Sequence, residues 1–132
     1  LSFKSLSELA HTLRPKGRLI FVTGSAGGKA ESRRPDMGRA LSEYADKVYL
    51  TSDDPNFEDP RAIAAEIAAA ITAPTVIIEE QMDRSIAVQS AVAEAASQDI
   101  VILAGKGAEQ YLKVNGQKEP YEGDLQIAQR LL

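Results

Sequence analysis

The feature that most constrains this sequence is a regular alternation of short apolar runs with longer amphipathic segments. The apolar runs lie at residues 18–23, 47–51, 75–79 and 99–104. The segments between them repeat apolar side chains at helical spacing, which indicates a helix between each strand and the next. Strands joined by crossover helices run parallel, so the sequence predicts an α/β fold with a doubly wound, mostly parallel sheet. The fourth run is apolar after its first residue, which is typical of a central strand.

Two capping signals predict where helices begin. Ser5 followed by Glu8 is a capping-box pattern at the start of a first helix. The predicted apolar face of that helix is Leu6, Leu9, Ala10 and Leu13. Asp59 followed by Pro60 predicts a later helix, because Asp is a good N-cap and Pro suits the first helical position.

A hairpin is predicted after the fourth strand. Asn-Gly at 115–116 is the strongest two-residue hairpin signal. It separates possible strands at 111–114 and 117–120. We expect this hairpin at the edge of the sheet, followed by a last helix from about residue 124.

Three loops rich in glycine or polar residues each follow a predicted strand, at 24–34, 52–56 and 105–109. The C-terminal ends of parallel strands share one edge of the sheet, and ligands of open α/β sheets bind there. We therefore expect the three loops to converge on one site.

The first loop combines glycines with three cations, Lys29, Arg33 and Arg34. This pattern suits a phosphate or carboxylate partner, although a solvated basic loop has the same composition. The spacing of neither the phosphate-binding P-loop nor the dinucleotide fingerprint is present. In the second loop, Pro55 is expected to hold Asp54 extended and so to aim its side chain. The alternative is an ordinary polar turn, since Asp, Asn and Pro are common in turns.

Composition narrows the function classes. The 132 residues carry a formal net charge of −4, no cysteine and one histidine. We expect one domain, no nucleic-acid partner, no thiolate or histidine-rich metal site, no membrane contact and a cytoplasmic, monomeric protein. The chain begins at Leu1 rather than Met, so we expect a piece of a longer protein.

The loop motifs, taken together and in order, resemble the C-terminal domain of the Mur ligases. These motifs are Gly-Ser-Ala-Gly-Gly-Lys from residue 24, Thr-Ser-Asp-Asp-Pro-Asn from residue 51, and Ala-Gly-Lys-Gly-Ala-Glu from residue 104. The resemblance covers essentially the whole chain. It is closest to the ligases that add the third peptide residue to UDP-N-acetylmuramoyl-L-alanyl-D-glutamate.

The resemblance implies an ATP-dependent amide-forming ligase of peptidoglycan synthesis. In that family ATP phosphorylates the D-Glu carboxylate, the amine of the incoming amino acid attacks the acyl phosphate, and phosphate leaves. ATP and Mg²⁺ are bound mainly by a central domain, and an N-terminal domain holds the UDP-sugar. Because neither domain is expected in this chain, we expect 1–132 to be a single amino-acid-binding domain without turnover of its own, and no catalytic residue in it.

The resemblance also implies roles for individual residues. The implied substrate-binding residues are Lys29, Asp53, Asp54, Asn56, Gly105 and Glu109, with Arg33 and Arg34 as further phosphate or carboxylate contacts. Lys29 stands where the family commonly has arginine, and the two cations differ in fork geometry. The usual histidine of the third motif is Ala108 here, so its role is missing.

The second motif indicates the substrate. At this position, ligases that add meso-diaminopimelate carry a motif similar to Asp-Asn-Pro-Arg, whose arginine binds the distal carboxylate with two hydrogen bonds. Here Asp54 replaces Asn and Asn56 replaces Arg. The loop has lost a cation and gained an anion, which suits a side chain ending in ammonium. We therefore expect L-lysine as the substrate. Ornithine, meso-diaminopimelate, another Mur or folylpolyglutamate-type ligase, and a non-catalytic binding module remain alternatives.

Overall fold

Four parallel strands form the main sheet, in the order β3-β2-β1-β4. A computed structural model of the chain describes residues 3–13, 16–28 and 33–132. Its elements in chain order are α1 (Phe3–Leu13), β1 (Leu19–Thr23), α2 (Arg34–Tyr44), β2 (Lys47–Leu50), α3 (Pro60–Ala70), β3 (Ile77–Glu80), α4 (Arg84–Glu94), β4 (Ile100–Leu103), β5 (Tyr111–Val114), β6 (Gln117–Pro120) and α5 (Asp124–Leu131). The predicted doubly wound α/β fold is confirmed.

The two faces of the sheet are covered by different helices. One core cluster contains Phe21 and Val48 and is closed by side chains of α1, α2 and α3. The other contains Ile20 and Val22 and is closed by α4 and α5. Alternate residues of β1 thus point to opposite clusters, as the period of a strand requires.

The strand order reverses between β1 and β4, because the chain moves from β1 to β2 and β3 and then returns to the other side of β1. Such a switch point opens a crevice at the C-terminal ends of the strands. The loops that follow β1 and β4 flank it.

The prediction of a central fourth strand is wrong, because β4 pairs with β1 alone among the described strands and forms an edge of the main sheet. Its apolar side chains are still covered, since α4 and α5 pack against Val101 and Leu103. The opposite edge strand, β3, has Ile77 and Ile78 exposed. An apolar run alone does not tell a central strand from an edge strand whose faces are both covered.

The capping-box prediction is also wrong. Ser5 lies inside α1, which begins by Phe3. The predicted apolar face is confirmed in part: Ala10 is buried and Leu6 packs against the core. Leu9 and Leu13 are exposed instead, and Ser7 is buried. The predicted N-cap Asp59 is confirmed, and its side chain accepts the Arg61 N–H.

The predicted hairpin is confirmed as β5 and β6, but it forms a separate two-stranded sheet rather than an edge of the main one. Its link to the rest of the fold is a bridge between Val114 and Asn56 in the loop after β2. The hairpin is therefore positioned by the site loop itself.

Candidate functional site

The loops after β1, β2 and β4 converge at the C-terminal edge of the sheet and line one cleft. A Cβ on Gly24 would overlap the Thr51 carbonyl oxygen, and a Cβ on Gly105 would overlap the Asp53 carboxylate. Gly105 also has a φ of +104°, which L side chains rarely adopt. These two glycines allow the three loops to touch. Asp53, Asp54, Gly105 and Glu109 all line the cleft.

Asp53 is the carboxylate of the cleft whose oxygens have no hydrogen-bond or ion-pair partner among the described residues. It follows β2 closely and packs against the backbone of Gly105. Burial raises the pKa of Asp53, the positive charge of Arg84 opposes that rise, and the neighbouring Asp54 adds to it. Asp53 is partly buried and lines the cleft, so its unpaired carboxylate can accept hydrogen bonds from a ligand.

Asp54, by contrast, is bound within the protein. Its Oδ1 accepts the Lys106 ammonium at 2.8 Å and the Lys113 backbone N–H at 2.9 Å. The prediction that Pro55 holds Asp54 extended is wrong, since Asp54 has a φ of +48°. That conformation, which Asp tolerates better than most residues, lets its carbonyl accept the Gly27 N–H.

Lys106 joins two of the predicted site residues. Its side chain is fully buried, and its Nζ lies 2.8 Å from Asp54 Oδ1 and 2.7 Å from Glu109 Oε1. Burial by itself would lower the pKa of Lys106, but the bonds to the two carboxylates outweigh it and raise the pKa. The same cation, followed by the Tyr111 hydroxyl, lowers the pKa of Glu109. Asp54 and Glu109 therefore both bind one internal ammonium.

Asn56 fastens the hairpin to the loop. Its side-chain oxygen accepts the Gly116 N–H at 2.7 Å, and its backbone exchanges hydrogen bonds of 2.8 Å with Lys113 and Asn115. Asn56 has a φ of +56°, a conformation that Asn adopts at lower cost than most residues. The residue is a structural joint at the wall of the cleft.

The two described arginines of the first loop have different surroundings. Arg33 is exposed and lines the cleft. Arg34 is fully buried, and its guanidinium binds Glu58 at 2.9 and 3.0 Å and Glu66 at 3.0 Å. The hydrogen bonds that Arg34 donates to Glu58 are the main cause that raises the pKa of Arg34. Arg34 thus ties α2 to α3 and to the loop before it.

We expect Arg34→Met to lower the thermal unfolding midpoint of the chain by several degrees, whereas Arg33→Met changes it little. The two variants make the same chemical change at adjacent positions, so Arg33→Met is a matched control. Circular dichroism on the purified chain measures both. Equal midpoints would show that the Arg34 network contributes nothing to stability.

Arg84, the first residue of α4, is buried below the site loops. It donates to both carboxylate oxygens of Asp124 at 2.8 and 2.9 Å. It also donates to the carbonyls of Ser52 at 3.0 Å and Ala104 at 2.9 Å. These carbonyls belong to the residues directly before Asp53 and Gly105.

Residues 2–107 match the family described as "Mur ligase, glutamate ligase domain". The chain belongs to this family. The matched residues include the loops after β1 and β2 and most of the third loop of this Mur ligase domain, as the motif resemblance predicts.

Full-length Mur ligases are similar to this domain over nearly its whole length. A UDP-N-acetylmuramyl-tripeptide synthetase of Ligilactobacillus salivarius is 44% identical over 99% of the chain and 26% of the relative. A UDP-N-acetylmuramoyl-L-alanyl-D-glutamate--L-lysine ligase of Enterococcus faecalis is 46% identical over the same shares of the two chains, 99% and 26%. The domain thus spans about a quarter of the length of these relatives.

A solved structure is similar as well. The structure of a UDP-N-acetylmuramoyl-L-alanyl-D-glutamate--2,6-diaminopimelate ligase superposes with a TM-score of 0.86 at 31% identity, over 98% of this chain and 27% of the other. The fold of the Mur ligase domain is therefore shared with a relative named for a different amino acid.

The structure brings Asp53, Asp54, Arg33, Gly105 and Glu109 to one cleft, and places Asn56 in its supporting hairpin joint. The predicted site residue Lys29 lies outside the described residues. Sequence reasoning missed Lys106 and Arg84. Lys106 stands inside the third motif, so its position between two glycines was the available signal. The signal for Arg84 was a cation in the first turn of a helix, where the helix dipole disfavours it.

Within the described ranges, no three His, Asp or Glu side chains come together as possible metal ligands. Nor does any helix described in the structure have the length and apolarity needed to cross a bilayer.

Proposed function

We propose that this chain is the C-terminal, amino-acid-binding domain of an ATP-dependent ligase. The reaction is the addition of L-lysine to UDP-N-acetylmuramoyl-L-alanyl-D-glutamate in peptidoglycan synthesis. The observation that carries the proposal is the cleft, in which the Asp53 carboxylate has no donor among the described residues while Asp54 and Glu109 share an internal ammonium. Support comes from relatives named for L-lysine, including one of Streptococcus pneumoniae that is 43% identical over 99% of the chain.

In this proposal the domain binds and orients the incoming amino acid. Asp53 accepts hydrogen bonds from the side-chain ammonium, and Glu109 adds negative charge to the same region. The exposed Arg33 binds the carboxylate end or the phosphate, a role that the family resemblance also gives to Lys29. Gly105 lets the backbone approach the ligand closely. The amine of the bound amino acid then attacks the acyl phosphate of the D-Glu carboxylate, and phosphate leaves.

ATP and Mg²⁺ are assigned mainly to other domains of the complete ligase. The sequence carries no P-loop. Asp124 and Asp54 are engaged with an arginine and a lysine side chain, and the described residues contain no group of three possible metal ligands. The residues that the structure describes do not fit a metal site.

The charge of the cleft favours L-lysine over meso-diaminopimelate. Asp53, Asp54 and Glu109 face the buried cation Lys106, while the second buried cation, Arg84, is paired with Asp124. The excess charge is therefore negative. Asn56 stands at the motif position where ligases that add diaminopimelate have arginine. Its side-chain oxygen already accepts a hydrogen bond from the Gly116 N–H. A distal carboxylate would therefore meet repulsion without a paired cation at that position.

We expect the complete ligase to use L-lysine with a kcat/KM at least about a hundredfold above that for meso-diaminopimelate, because an unpaired buried charge is strongly rejected. Steady-state assays of phosphate release with both amino acids and with ornithine measure this. Preference for meso-diaminopimelate would overturn the charge assignment. Absence of ligation with every amino acid would overturn the proposed function.

A further inference from the structure

The loops that carry Asp53 and Gly105 share one buried anchor below the cleft. Arg84 reaches the carbonyl of Ser52 with Nη1 and the carbonyl of Ala104 with Nη2. Each of these residues directly precedes a proposed contact residue, Asp53 or Gly105. The remaining bonds of the guanidinium go to Asp124 on α5.

This anchor is rigid because its geometry is bidentate and buried. The side chains of Arg84 and Asp124 are 0% and 4% exposed. A planar guanidinium that donates hydrogen bonds to two carboxylate oxygens and two carbonyls has few alternative arrangements. Arg84 therefore holds the second and third loops together from below, in addition to the bond between Lys106 and Asp54.

We propose that Arg84 is a positioning residue for the incoming amino acid, which holds the Asp53 and Gly105 loops at their binding distance and supports the charge of Asp53 from below. This inference rests on the proposed function, since it assigns an effect on amino-acid binding. Arg84 itself lines no part of the cleft, so it acts through the two loops.

The two partners of the Arg84–Asp124 ion pair affect the charge of Asp53 in opposite senses. The charged groups that face Asp53 are Arg84 of α4, Asp54 of its own loop, Lys106 of the third loop and Asp124 of α5. Arg84 lowers the pKa of Asp53, whereas Asp124 raises it. Removing the charge of Arg84 should therefore raise the pKa of Asp53, and removing the charge of Asp124 should lower it.

The test compares Arg84→Gln, Arg84→Lys and Asp124→Asn in the complete ligase. Arg84→Gln should raise the KM for the amino acid by about tenfold or more, with the KM for ATP changed less than about twofold. The acid limb of kcat/KM for the amino acid should move to higher pH. Asp124→Asn keeps both carbonyl contacts, and its acid limb should move to lower pH.

Arg84→Lys separates geometry from charge. One ammonium cannot hold four acceptors in a plane, so the KM for the amino acid should rise while the acid limb stays near its original pH. If Arg84→Gln does not fold, Arg84→Lys and Asp124→Asn still decide the matter by the same two readouts.

A purely structural anchor predicts a different result. Arg84 and Asp124 variants would then shift the pH profile in the same direction or not at all, and would affect amino acid and ATP equally; either outcome overturns the proposal. The unmodified ligase tests the proposed function separately, by its choice of amino acid. The Arg84 comparison is made with whichever amino acid it uses.

Discussion

Replacing Asp53 by Asn in the complete ligase is expected to raise the KM for L-lysine by about one to two orders of magnitude, with little change in the KM for ATP. The reason is the loss of charge-assisted hydrogen bonds to the substrate ammonium, which contribute about 1.5–3 kcal/mol. Steady-state kinetics with each substrate varied in turn measures the effect. Equal increases in both KM values would show that Asp53 supports the fold rather than the amino acid.

The same substitution should stabilise the domain, and only above a certain pH. Burial raises the pKa of Asp53 above its ordinary value of 3.8, so the folded state resists losing this proton. Below that ordinary value both states are protonated and the carboxyl costs nothing. As the pH rises through it, the folded state carries an increasing penalty, which is complete above the folded-state pKa. Asp53→Asn removes this penalty.

We therefore expect Asp53→Asn to raise the unfolding midpoint of the purified chain at about pH 7, and this gain to vanish near pH 3. Thermal unfolding at a series of pH values measures it. Asp36→Asn is a matched control, because Asp36 lines the same cleft but its side chain is 71% exposed. A lower midpoint for Asp53→Asn at neutral pH would show that Asp53 is satisfied inside the folded chain.

The backbone arrangement could be predicted from sequence because it depends on patterns that are local. Short apolar runs separated by helices leave few topologies besides a doubly wound parallel sheet. The convergence of the three loops then follows, since all of them leave parallel strands in the same direction. The position of β4 at an edge does not follow, because two covering helices give it the apolar pattern of a central strand.

The partners of the charged side chains could not be predicted in the same way. Lys106, Arg34 and Arg84 each bind at least one carboxylate that lies far away in the sequence, and the folded packing brings the two charges together. Asp54 is an example. From the sequence alone, its charge suits a substrate ammonium as well as an internal one, but in the structure its Oδ1 accepts hydrogen bonds from Lys106 and Lys113.

For two of these cations, the sequence does contain a local signal of an internal network. Arg34 and Arg84 both stand at the first residue of a helix, where the positive end of the helix dipole favours acids. A basic residue there is disfavoured unless other contacts hold it. Both are fully buried and held by carboxylates, so a cation in the first turn is a useful signal for an internal network.

Exchanging the second motif tests how far that loop alone sets the substrate. We expect Asp54→Asn with Asn56→Arg to lower the ratio of kcat/KM for L-lysine to that for meso-diaminopimelate by about a hundredfold. An arginine fork can bind the distal carboxylate in two bonds, and the change also removes one negative charge. Kinetics of the complete ligase with both amino acids measures the ratio.

The structure adds that this exchange also weakens the hairpin joint. The arginine introduced by Asn56→Arg must keep a φ of +56° and loses the acceptor of the Gly116 N–H, at a conformational cost of about 1–2 kcal/mol. Both amino acids should therefore lose kcat/KM, L-lysine more than meso-diaminopimelate. Asn56→Ala is the control, because it loses the same acceptor without gaining a cation. If Asn56→Ala changed the ratio of kcat/KM for the two amino acids equally, the effect would come from the loosened hairpin. An unchanged ratio in the double variant would show that other residues around the cleft, near Glu109 and Lys106, select the substrate.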